Sequence, residues 1–249
     1  MLKISFIAKK AYTLVELSIV LVIISIFLSS GLSIFTNNII QTKTVNTKEK
    51  LNIIYKSLTE YLMINKRLPC PINLTIAKDT GENYGFMITR SITNSPISNC
   101  SIIVTGSGDN QITIGALPTR DLGLPNNMAE DDFGNKILYV VDNRLITNFI
   151  ANNLTSGNGA IQDGGITKPV LLLLSFGANS CGSHKTNGTT NVTCLANDGS
   201  EQQENANNDN TFRTTSTNPK FDDVVLTKTY YDFLQELNLT HTQSQAYFF

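Results

Sequence analysis

From Leu14 to Phe35 this chain is nearly all apolar or small, and the single acid in that run is Glu16. Few sequence features limit a fold more. A helix over Tyr12–Phe35 holds 24 residues, roughly 36 Å at about 1.5 Å per residue, enough for a bilayer core of about 30 Å. Lys3, Lys9 and Lys10 precede it with no acid among residues 1–11. The positive-inside tendency then predicts a cytoplasmic N-terminus, with the polar remainder outside. A conventional signal peptide cut after Gly31 and an uncut signal anchor also fit a basic start followed by an apolar run. Glu16 argues against both, because an acid at an apolar boundary is costly and is usually kept for a partner.

The residues around Glu16 narrow the reading. Lys9-Lys10-Ala11-Tyr12-Thr13-Leu14-Val15-Glu16-Leu17-Ser18-Ile19-Val20 resembles the cleavage and methylation segment of type IV prepilins and type II secretion pseudopilins. Ala11 stands where that family usually has Gly, and Tyr12 where it usually has Phe. The resemblance implies a leader, residues 1–11, cut by prepilin peptidase between Ala11 and Tyr12, followed by N-terminal methylation. It implies a filament subunit, pseudopilin or pilin, of a type II secretion or type IV pilus-like system. Its partners would be copies of itself or related pilin subunits, the prepilin peptidase, the inner-membrane assembly machinery and the membrane. The implied placement is a single pass of a bacterial inner membrane, head periplasmic, or extracellular in a pilus. Glu16 is the assembly residue, paired with a neighbour's N-terminal amine. The alternative is an adhesin or ligand-binding head that uses a pilin-type membrane anchor.

The chain beyond the apolar run predicts an α+β fold. Leu51, Ile54, Tyr55, Leu58, Tyr61 and Leu62 recur at spacings of three and four, the stripe of an amphipathic helix. Arg67-Leu68-Pro69 ends it, since the residue before Pro avoids helical geometry. The expected organisation is a transmembrane or filament-core helix over 12–35, its amphipathic continuation over 36–68, and a globular head over 69–249. Thus a long N-terminal helix, membrane half plus amphipathic half, packs on an antiparallel β-sheet head with a long polar loop. Strand-length apolar runs stand at Ile102–Thr105, Gln111–Leu117, Ile137–Val141, Val170–Phe176 and Val224–Leu226, and Tyr230–Leu239 reads as a closing helix. Ala178–Pro219, rich in Asn, Thr, Gly and Ser, reads as a long loop or partly disordered.

Within the head, Asp131-Asp132-Phe133-Gly134-Asn135, with Tyr139 after it, resembles a turn motif of major pseudopilins. Ser175-Phe176-Gly177-Ala178-Asn179 resembles their segment ahead of a loop that binds calcium in several relatives. Asp198, Glu201, Glu204, Asp209, Asp222 and Asp223 are the oxygen donors such an ion would draw on. An Asn-rich polar loop is the simpler reading, so no cofactor is expected and calcium is the one candidate. Cys70, Cys100, Cys181 and Cys194 make an even set, which in an oxidising compartment predicts two disulfides. Local pairing, Cys70–Cys100 and Cys181–Cys194, is preferred because each pair brackets a turn-rich stretch. The competing zinc reading of Cys181, His184 and Cys194 has three ligands where a structural site needs four.

Enzymatic and nucleic-acid roles have little to stand on. The net charge is −1, and loss of residues 1–11 with their three lysines takes it to −4, the wrong sign for a phosphate-binding surface. No nucleophile elbow, zinc-protease helix or phosphate-cradling glycine loop occurs, so the chain is read as a non-enzyme. The pairs Asp131-Asp132 and Asp222-Asp223 point to opposite sides of an extended chain and read as solvated turn carboxylates.

Overall fold

The computed structural model describes residues 13–78, 84–87, 100, 103–147, 154, 158–165, 168–189 and 193–237, leaving out the side chains of 28–35 and 103–104. A 52-residue helix, α1 (Leu14–Asn65), comes first. The chain divides into two compact units within this helix, Met1–Thr42 and Lys43–Phe249.

In the first unit the expected membrane half is corrected. Among the described residues no helix is long and apolar enough to cross a membrane. Within α1 the apolar run gives way to Thr36-Asn37-Asn38, amide and hydroxyl groups that hydrocarbon would not solvate. The single-pass inner-membrane placement, with its cytoplasmic N-terminus and periplasmic or extracellular head, is corrected with it. The leader, Ala11 and Tyr12 lie outside the described residues.

The second unit is built on a five-stranded sheet in sequential order. Its strands are β1 (Ile103–Thr105), β2 (Ile112–Ala116), β3 (Leu138–Asp142), β4 (Leu171–Ser175) and β5 (Val224–Lys228), each antiparallel to the next. Short helices α2 (Asn143–Thr147), α3 (Ser200–Asn205) and α4 (Tyr230–Glu236) complete it. The central strands read as unbroken apolar runs because both faces of the sheet are covered. Tyr139, Val141, Leu171 and Leu173 face Leu51, Ile54, Leu58 and Leu62 of α1. Leu138, Val140, Leu172 and Leu174 face Ile72, Ile161 and Phe212 on the other side. Alternate residues therefore reach different cores, as the two-residue period of a strand requires. Lys66, in the left-handed region at φ 59, closes α1, and the Leu68 N–H bonds the Leu145 carbonyl.

Two buried cations tie irregular segments to the sheet. Lys136, 1% exposed, donates through Nζ to the carbonyls of Leu74 and Ile76. Arg144 donates to the fully buried Asp142 carboxylate through Nε and Nη2, and its Nη2 also reaches the Asn158 carbonyl. The disulfides Cys70–Cys100 and Cys181–Cys194 are both present, and no described cysteine is free.

Candidate functional site

In the first unit the candidate site is the start of α1. Large apolar side chains from Leu14 to Phe27 are exposed all round the helix, by 47% at Ile24 to 86% at Leu14. Glu16 caps its own helix. Its Oε2 accepts the Thr13 N–H at 2.9 Å and the Thr13 hydroxyl at 3.0 Å, and its N–H donates to Thr13 Oγ1 at 3.3 Å. This is the reciprocal capping box of a Thr-x-x-Glu sequence, and it leaves Glu16 as a charge at the start of a helix apolar on every side.

In the second unit the two head motifs meet. Asp131 is 4% exposed. Its Oδ1 accepts the N–H groups of Phe133 and Asn135, folding the turn, and its Oδ2 accepts the Ser175 hydroxyl at 2.7 Å. Asn135, fully buried, donates to Ser180 Oγ and accepts from Ser183 Oγ and Lys185 Nζ. Gly134 takes φ +86, a conformation that L side chains rarely adopt. The turn also braces α1. Lys50 bonds the Asp132 carboxylate at 2.8 Å and the Glu130 carbonyl at 2.7 Å, the Asp132 N–H reaches Thr47, and Lys43 lies 5.6 Å from the Phe133 ring centre. Tyr139, wholly buried, donates to the Pro69 carbonyl at 3.0 Å. The solvated-carboxylate reading of Asp131 is thus corrected, since its turn is a buried network.

The second acidic pair is corrected in the same way. Asp222 Oδ2 accepts the N–H groups of Ala178 and Asn179, and its Oδ1 accepts the side-chain amide of Gln202. Asp223 Oδ2 accepts the Asn205 amide at 2.6 Å, while its Oδ1 is buried with no hydrogen-bond partner among the described residues. Gln202 and Asn205, each 1% exposed, lie on α3, so Ala178–Pro219 is no plain loop. It is held to Asp222 and Asp223, just ahead of β5, by amide–carboxylate bonds, and Cys181–Cys194 closes it on itself. A Cβ at Gly177 would lie 2.4 Å from the Asp222 carbonyl, which together with φ +61 explains the glycine.

This donor set does not fit calcium. Amide N–H groups point at the two carboxylates where a cation would have to sit, and Ca²⁺ needs six to eight oxygens. Asp198, Glu201, Glu204 and Asp209 accept bonds from Leu195, Ser200, Asn207 and Thr211 respectively. Among the described residues one group of three ligand types does converge, Cys181, Cys194 and Asp198. Its two sulfurs are joined as a disulfide, which also removes them from the zinc reading.

Burial, and secondarily the charge of Asp222, pushes the Asp223 carboxyl up to about 7. A folded pKa above the unfolded value means stability present at low pH and lost as pH rises from about 4 through about 7. Melting of wild type should be the same in calcium and in EGTA. Gln202→Glu combined with Asn205→Asp sets four carboxylates together and should cost on the order of 3 kcal/mol, or roughly 10 °C, in EGTA, with recovery in millimolar calcium. A wild-type melt that rises in calcium would contradict the assignment of the amides.

No protein-family model, curated protein or solved structure matches this chain.

Proposed function

We propose that the chain is a pilin-like filament subunit, pseudopilin or pilin, whose segment Leu14–Phe27 packs against the same segment of neighbouring subunits. The observation that carries this reading is the exposure of eleven large apolar side chains over 14 residues of helix. Their burial would contribute on the order of 10 kcal/mol or more, against an association cost of about 4–15 kcal/mol. Apolar packing alone is therefore adequate but does not define register, since one turn of slip buries similar area. Glu16 supplies the register. Once enclosed by apolar neighbours its carboxylate requires a cation, and cleavage at Ala11–Tyr12 creates one, the amine of Tyr12, four residues away in sequence. Among the described residues of Lys43–Phe249 exposed large apolar side chains are fewer, Ile64 and Leu195 among them, and this unit is closed by two disulfides in keeping with an oxidising compartment.

The test is the mature N-terminus, read by intact-mass and terminal-peptide mass spectrometry from cells with an active prepilin peptidase. The expected chain begins at Tyr12 and carries one added methyl group. A chain beginning at Leu32 or retaining Met1 would overturn the reading.

A further inference from the structure

The last strand of the sheet, β5, has a neighbour on one side only. It pairs with β4 from Val224↔Ser175 to Lys228↔Leu171, and the sheet order ends with it. Val225–Lys228 are half-buried where the other strands with described side chains are wholly buried. Among the described residues, no backbone partner outside β4 and the adjoining Val170 bonds to Val224–Lys228. An antiparallel strand turns alternate N–H and C=O groups outward, so an open edge of this length is a template for a further strand.

The edge opens on a groove of about 340 Å³ that runs the whole length of β5, with Lys48, Leu51 and Asn52 of α1 as its far wall. Leu226, half-buried, gives it an apolar flank, with Leu51 and Val224 buried behind it. Lys48 and Lys228 give it positive charge. Neither lysine takes part in an ion pair among the described residues, and Lys228 Nζ lies 4.5 Å over the Tyr55 ring. Backbone groups in a row demand an extended chain. The two lysines select one with carboxylates.

We infer that β5 is a docking edge for an extended acidic segment of another polypeptide, added as a sixth antiparallel or parallel strand. Apolar side chains of that segment would meet Leu226, and carboxylates would meet Lys48 and Lys228. Main-chain bonds would give affinity and the lysine pair selectivity. This inference does not depend on the filament reading.

The experiment is a fluorescence-anisotropy titration of the intact chain with a labelled nine-residue peptide of alternating valine and aspartate. Three comparisons accompany it: the same peptide N-methylated at alternate residues, a valine–lysine peptide, and the double variant Lys48→Glu, Lys228→Glu. Saturable binding of the valine–aspartate peptide is expected, at least tenfold weaker in each comparison. Both substitutions are of solvent-reaching lysines, and an unchanged melting temperature confirms the fold of the variant. Absence of saturable binding at millimolar peptide would overturn the inference. So would equal binding of the N-methylated peptide, which cannot complete the ladder, or of the lysine peptide.

Discussion

Asp131→Ala is expected to lower the stability of the head by about 3–5 kcal/mol, read as a fall of roughly 6–20 °C in melting temperature. The carboxylate accepts two backbone N–H groups and one hydroxyl inside a network 4% exposed at Asp131 and fully buried at Asn135 and Ser175. Without it the Ser175 hydroxyl can turn elsewhere, but the Phe133 and Asn135 amides lose the acceptor that folds their turn. The same turn carries Asp132 to Lys50 and Thr47 on α1, so the loss spreads to helix packing. Burial pushes the Asp131 carboxyl above its ordinary range, which offsets part of the benefit of the charged form. It also gives a sign: stability from this group falls as pH rises above the unfolded carboxyl value. Asp131→Asn keeps one acceptor oxygen and should cost about half as much, with a flatter pH profile. Ser175→Ala should cost about 1 kcal/mol, and a double-mutant cycle with Asp131→Ala should show coupling of similar size. A melting temperature unchanged in Asp131→Ala would contradict the network.

Much of the sheet was legible because its strands are buried on both faces and so read as short continuous apolar runs bounded by turn residues. The disulfides were legible from an even cysteine count. The buried charges were not. Lys136 spends its ammonium on two carbonyls, partners that every residue possesses and that leave no pattern in sequence. The Ala178–Pro219 segment reads as a long loop or partly disordered because its order comes from Asn, Gln and Asp side chains bonding backbone and one another, and the same composition describes both states. Asp222 and Asp223 were misread for that reason: adjacency says which way they point on a strand, not what meets them. The apolar run reads as a membrane span from its length alone, yet among the described residues no helix is long and apolar enough to cross a membrane. One local signal was there to be used, Thr13-Leu14-Val15-Glu16, which has the spacing of a capping box and forms one.

The cap gives Glu16 one role and the proposed filament would give it a second, and the second large effect turns on separating them. Glu16→Ala is expected to reduce filament yield at least tenfold while leaving cleavage and head melting unchanged, because Glu16 and the head belong to different compact units. The substitution removes both the acceptor for Thr13 and the charge. In the isolated chain the start of α1 is exposed, so a lost cap frays one turn and the rest of the helix stands. In the proposed filament the same region would be enclosed by apolar side chains, and a neighbour's Tyr12 amine would be left as an unpaired charge in a poorly solvating environment, which is strongly disfavoured. Glu16→Gln separates the roles. Its amide oxygen can still accept the Thr13 N–H, but it carries no charge. The deciding measurement is sheared filament per unit of processed protein for wild type, Glu16→Ala and Glu16→Gln, in cells that process all three equally. Charge pairing predicts that both variants lose filament to a similar degree. Wild-type yield from Glu16→Gln would reduce Glu16 to a helix cap and contradict the pairing that defines subunit register, and wild-type yield from both would contradict packing through this end of the helix.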